Sequence, residues 1–340
     1  MRNLQAIMLS MAVLVAGSMP ALAQTKWDVT KTVHIGGDGG WDYATVDSQT
    51  HQLFLTRTTH TQVIDAASGK VLGDIPGQTR AHGVAIVPSL NRGFITDGGG
   101  SGAIIVFDLK TYATLGKLAT MPDSDDIQYD AGTGLILAVS GDGNKLMTFK
   151  PDIDPVSGKI DAPIELGGAP ESLVADGNGK VYVDLADKDV VAVVDLKTRQ
   201  VTARWPVAPG GRPVGLAMDE KHHVLFVGCR NPQKLIVMST EDGKVVADLP
   251  IGAGNDAVQT DGDRAFASCG DGSLIVVDQK DGKFEVEAVV KTPYGARTMG
   301  VDHSTHTLYL PAAELLPLAP GQRRPTPKPD TFMIVEVGQQ

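Results

Sequence analysis

A short apolar segment closing on Asp or Pro recurs seven times in this chain, and few architectures accommodate such a beat. The copies are Trp41–Asp47, His82–Pro88, Asp125–Asp130, Glu171–Asp176, Val214–Asp219, Asp256–Asp261 and Arg297–Asp302, and their last residues fall 41 to 46 apart. A second element keeps the same phase in Val63-Ile64-Asp65, Val106-Phe107-Asp108, Val193-Val194-Asp195 and Val276-Val277-Asp278. Each copy reads as four strands. In the fourth, Ser172–Ala175, Val181–Val183, Val190–Val194 and Val201–Val207 are β-branched or aromatic runs, with turns such as Asn178-Gly179 between them. Four-stranded sheets standing apart would leave apolar faces in water, so the copies must pack face to face around a common axis.

The expected fold is therefore all-β: a seven-bladed β-propeller of four-stranded antiparallel blades. The seventh copy has strands at Met299–Val301, Thr307–Leu310 and Phe332–Val337 and lacks a fourth. Ahead of the first copy, Lys31–Gly36 resembles the outer strand Ala247–Gly252 of another copy. The N-terminal strand 31–36 is expected to join blade 7, closing the ring and removing a free sheet edge. Residues 24–340 then form a single domain with blades starting near 41, 81, 124, 170, 213, 255 and 296.

Residues 1–23 read as a signal peptide: Arg2 is a short basic region, Ala6–Ser18 is apolar, and Ala21-Leu22-Ala23 is a small-x-small cleavage site. Export to the periplasm, or secretion, is the expected localisation. No later segment has the roughly 20 apolar residues of a membrane span. A net charge of −10 argues against nucleic acid as a partner, because a polyanion is repelled by such a surface.

The aromatic-Val strand Val181-Tyr182-Val183-Asp184, the strand ending Val193-Val194-Asp195 and the turn Ala67-Ser68-Gly69-Lys70-Val71 resemble the repeat of the YVTN-repeat β-propeller family (YncE-like). Phe94-Ile95-Thr96-Asp97, Phe226-Val227-Gly228-Cys229 and Phe266-Ala267-Ser268-Cys269 depart from the tetrad. The resemblance spans nearly the whole of residues 24–340. It implies the propeller scaffold and no particular chemistry.

In such a fold the residues that open each inner strand ring the mouth of the channel. These are Asp42, Gly83, Asp125, Glu171, Val214, Asp256 and Arg297, with Trp41, His82, Asp126, Arg212 and Asn255 beside them. Two roles are open to them. Asp and Asn commonly hold the backbone N–H groups of neighbouring turns. Alternatively, Asp42, Asp125, Glu171 and Asp256 converge on a divalent cation, since clustered carboxylates repel one another unless a positive charge joins them. Hard oxygen ligands suit calcium or magnesium, whereas His82 would admit a transition metal.

His51, His222, His223, His303 and His306 fall in turns on the opposite face; they are exposed polar residues there, or His303 and His306 form a surface metal site with His51. Cys229 and Cys269 occupy equivalent positions in adjacent copies, either as a disulfide or as separate buried thiols. The loop 311–330, with Arg323, Arg324, Lys328 and six prolines, is expected to be extended or flexible and to overhang the mouth, as a lid, a partner contact or a plain surface loop. Taken together these features favour a protein that binds a small molecule or a protein at its channel mouth. The alternative is a metal-assisted lactonase or lyase that uses the acidic ring, with His82 as base.

Overall fold

The computed structural model describes residues 26–280, 282–318, 321–322 and 325–340. The expected signal peptide and Arg323 and Arg324 lie outside the described residues. Apart from a single 3-10 turn at Pro88–Leu90, the described regular structure is β-strand. No described helix is long and apolar enough to cross a membrane.

The strands form five four-stranded antiparallel sheets and one of seven strands. The fourth copy shows the pattern: Pro170–Ala175, Lys180–Leu185, Val190–Asp195 and Gln200–Pro206 pair in that order. Its middle strands are buried on both faces, while Gln200–Pro206 alternates between half-buried and exposed, as an outer edge must. The seven-stranded sheet arises because Val71–Val87 runs unbroken. Its first half pairs with Thr58–Asp65 and its second half with Arg92–Asp97, so one strand serves two successive copies.

The N-terminal strand Trp27–His34 pairs antiparallel with Met333–Gln339, in one sheet with Gly300–Asp302 and Thr307–Ala312. It begins four residues earlier than the expected 31–36 because Trp27 is buried edge-on against Phe266 of the preceding sheet, with ring centroids 5.2 Å apart. Past its end, the N–H groups of Ile35 and Gly36 both donate to the carbonyl of Phe332, at 2.9 and 3.0 Å.

The recurring Asp has a local explanation. Asp47 accepts from the Gln49 N–H and the Thr50 hydroxyl, Asp130 from Gly132 and Thr133, and Asp302 from Ser304. Asp65, Asp108 and Asp195 hold the next turn in the same way through Ser68, Thr111 and Thr198. A carboxylate two or three residues ahead of a turn satisfies N–H groups that the sheet cannot reach. In these copies both repeated Asp positions are thus turn formers, whereas Asp261 instead meets His303 and His306.

Seven apolar clusters occupy the interfaces among the described residues, each shared by neighbouring copies. One of them joins the ends of the chain, packing Trp41, Leu53 and Ile64 against Tyr309, Phe332 and Ile334. A fully buried Leu, Val or Phe stabilises by about 1.5–3 kcal/mol, against about 0–1 for an exposed ion pair, so these interfaces hold the sheets together. Cys229 lies in one cluster with Leu225 and Ile236, and Cys269 in the next with Val258 and Ile275. Both are free in this structure, and burial pushes their thiols up to about 12 and about 11.

The described part of loop 311–330 departs from the expectation of an extended or flexible segment. Leu315 bridges to Pro327, the Lys328 N–H donates to the carbonyl of Glu314 at 2.7 Å, and the two side chains form an ion pair at 2.8 Å. Leu315 packs on the Trp41 cluster, which anchors the loop to the first and last sheets.

Candidate functional site

The starts of the inner strands and the loops beside them line a pocket of about 240 Å³. It is lined by the carboxylates of Asp42, Asp123, Asp125, Asp142, Glu171 and Asp256, the guanidiniums of Arg80, Arg212, Arg230 and Arg297, and His82 and Tyr43. A second cavity of about 300 Å³ shares Tyr43 with it and includes Asp126, Gln128, Tyr129 and Gln259. Of the ten polar or aromatic residues expected at the mouth, Asp42, His82, Asp125, Glu171, Arg212, Asp256 and Arg297 line the pocket.

The other three serve structure. Trp41 is buried against Phe332, with centroids 5.6 Å apart. Asn255 is fully buried and donates to the carbonyls of Ala257 and Ser268 at 3.1 and 2.8 Å. Asp126 reaches into the neighbouring sheet, where it accepts from the Leu173 N–H at 3.0 Å and the Ser172 hydroxyl at 3.1 Å. Burial still pushes Asp126 up to about 6, because these bonds offset only part of its lost hydration.

Asp256 departs from the expected cation-ligand set. Its two oxygens accept from Arg230 Nη2 and Arg297 Nε respectively. Arg230 is held further by the carbonyl of Asn255 at 2.7 Å, and Arg297 by the carbonyl of Trp41 at 3.1 Å. With both oxygens committed to guanidiniums, Asp256 is neutralised by the protein itself. Arg230 was not anticipated from sequence. The available signal was positional: where Arg230 follows Cys229, equivalent strand ends carry Gly98, Gly141 and Gly270, so a long cation at that place faces the mouth. Arg80 and Asp123, paired at 2.5 Å, were likewise missed.

Around His82 carboxylates predominate, although Asp42 Oδ1 also lies 3.8 Å from Arg297 Nη2. His82 Nδ1 lies 2.6 Å from Asp42 Oδ2 and 3.4 Å from Asp125 Oδ1. Burial, and then the charges of Asp42 and Glu171, push the Asp125 carboxyl well above the usual range. Glu171 is also raised by burial, partly countered by Arg230. Asp42, His82 and Asp125 offer ligand atoms that all lie within 4.8 Å of one another. Of the four expected cation ligands, the structure brings Asp42 and Asp125 together with His82, leaves Glu171 on the wall, and gives Asp256 to the arginines.

The side chains of His51, His303 and His306 are 45%, 60% and 70% exposed, as expected of polar residues in these turns, and the alternative grouping of the three into one site does not form. His51 pairs with Asp302 at 2.7 Å, while His303 and His306 pair with Asp261 at 3.0 and 2.7 Å. His222 closes its own turn on Asp219 at 2.8 Å.

No protein-family model matches the chain, and no curated protein sequence matches it. In three dimensions it is similar to hydrazine synthase of Kuenenia stuttgartiensis, a β-propeller-containing protein, at a TM-score of 0.68 and 12% identity. The superposition covers 86% of this chain and 96% of that one. A likeness at this identity is one of fold, and it supports the β-propeller class for this chain.

Proposed function

We propose that this chain is an exported seven-bladed propeller of YVTN type that binds a small polar molecule at its channel mouth. The seven-stranded sheet counts as two blades sharing Val71–Val87, and the pairing of Trp27–His34 with Met333–Gln339 supports closure of the ring. The observation that carries the binding reading is the pocket itself. A space of about 240 Å³, walled by six carboxylates and four guanidiniums, is too polar to be a packing defect and suits a ligand with charged or hydrogen-bonding groups. A protein partner contacting the same rim is the other occupant compatible with this face.

Thermal-shift screening of sugars, amines, amino acids and small organic acids tests the reading, with hits re-measured on Arg230→Gln and Glu171→Gln. Hits that lose their shift in these variants support it. Hits that are indifferent to them and respond instead to His303→Ala on the far face refute it. A second reading, metal-assisted lactonase or lyase chemistry, draws support from the proximity of Asp42, His82 and Asp125.

A further inference from the structure

The geometry points to a divalent transition-metal centre on one wall of the mouth pocket, held by His82 Nδ1 and by one oxygen each of Asp42 and Asp125. This rests on the reading of the pocket as the ligand site and names what that wall takes. Ligands about 2.0–2.2 Å from a single ion stand about 3–3.5 Å from one another. His82 Nδ1 stands 3.4 Å from Asp125 Oδ1 and 2.6 Å from Asp42 Oδ2, the latter a hydrogen bond that an ion would replace by widening the gap, and the three ligand atoms all lie within 4.8 Å of one another.

A second observation concerns hydrogen bonding. Asp125 Oδ1 has no accessible surface and accepts no hydrogen bond. Arg80 pairs with Asp123, and Arg230 and Arg297 clamp Asp256; Arg297 Nη2 also lies 3.8 Å from Asp42 Oδ1, but no guanidinium donates to Asp125 Oδ1. A buried carboxylate oxygen without a donor costs about 1–3 kcal/mol or more, and a cation at this point removes that cost. His82 is 93% buried, with its side chain only 9% exposed, and its Nε2 also lacks a partner. A neutral imidazole here leaves one nitrogen unsatisfied in either tautomer, so freeing Nδ1 for a metal adds no new orphan.

The donor set decides the class of ion. One imidazole nitrogen with two carboxylates suits zinc, manganese, cobalt or ferrous iron better than calcium, which takes six to eight oxygens. The three residues come from neighbouring inner strands or their approaches, where the sheets hold them in place, and the open side of the pocket leaves room for water or a ligand to complete the coordination.

The test is titration of chelator-stripped protein with Zn²⁺ and Mn²⁺ by calorimetry, with X-ray absorption on the zinc-loaded wild type. The expected result is one ion per chain, with a single imidazole among its ligands. Asp125→Asn and His82→Gln should each weaken binding about 100-fold or more, while Glu165→Gln at an exposed ion pair leaves it unchanged. Absence of stoichiometric uptake overturns the centre, as does unchanged affinity in Asp125→Asn. A two-imidazole spectrum also overturns it, because that marks His303 and His306. The absorption spectrum needs no variant, so a poorly folding substitution leaves the proposal open to refutation. If no ion binds but organic ligands still depend on Arg230, the metal centre falls and the pocket reading stands. If the ion binds while organic ligands map to the far face, the reverse holds.

Discussion

Replacing Asp256 with alanine should be among the most damaging single changes at the mouth. The Asp256 carboxylate is 15% exposed and receives Arg230 and Arg297, whose side chains are 19% and 27% exposed. Deleting it removes two charge-assisted hydrogen bonds and leaves two largely buried cations, with Asp42 at 3.8 Å from Arg297 as the remaining carboxylate. Breaking a fully buried ion pair in this way costs about 3–5 kcal/mol. The residual exposure, and the carbonyls of Asn255 and Trp41 that still hold the two arginines, reduce this to about 3 kcal/mol. For 340 residues that converts to a fall of about 4 °C in the melting temperature. Thermal unfolding followed by circular dichroism measures it, with Asp248→Ala as the comparison, since Asp248 pairs with Lys234 at an exposed edge. Adding Arg230→Met and Arg297→Met to Asp256→Ala should recover part of the loss by removing the stranded charges. A melting temperature within 1 °C of wild type for Asp256→Ala, or an equal loss for Asp248→Ala, would refute the clamp.

Two more outcomes follow from the same reasoning. Asp126 has a folded pKa raised to about 6, so the folded state binds the extra proton and stability should fall as pH rises from about 4 to about 6. Asp126→Asn should flatten that part of a urea-midpoint profile, and an unchanged slope would count against the assignment. Asp302 moves the opposite way: burial raises it, but hydrogen bonds from His51 and Ser304 prevail and take it down to about 2. Its contribution is present above about 4 and lost as pH falls towards about 2, so His51→Ala should shift acid unfolding to higher pH, read by fluorescence during acid titration. Glycine substitutions should split by surroundings. Gly102 has φ +81° and a Cβ there would sit 1.6 Å from the carbonyl oxygen of Met121, whereas Gly134, at φ +69°, faces open space. Gly134→Ala should cost about 1–2 kcal/mol and Gly102→Ala clearly more; equal melting temperatures would contradict the packing.

Fold and site were legible to different degrees. The strands of the fourth copy were readable nearly to the residue, because Val, Tyr and Ala runs between Gly, Asn and Asp turns leave the backbone few alternatives. The start of the first strand was not, because Trp27 is drawn in by Phe266, a residue far away in sequence. At the mouth, the repeat placed Asp42, Asp125, Glu171 and Asp256 at one phase and so predicted a shared fate for them. The structure gave each a different one, according to the cation that the adjacent sheet supplies.

What the amino-acid sequence determined alone is the periodic part: the repeated antiparallel strands, the Asp-held turns and the common phase of Asp42, Asp125, Glu171 and Asp256. These depend on contacts within a few residues, and local chemistry repeats wherever the motif repeats. Only the tertiary structure decided that Asp256 is neutralised by Arg230 and Arg297, that Asn255 and Trp41 turn inward, and that Asp125 keeps an unsatisfied oxygen beside His82. The outcomes at Asp256 and Asp125 depend on side chains from neighbouring sheets, 26 residues or more apart in sequence, meeting where little water remains. In such a place the identity of a single neighbour sets whether a carboxylate is paired, protonated or left to bind.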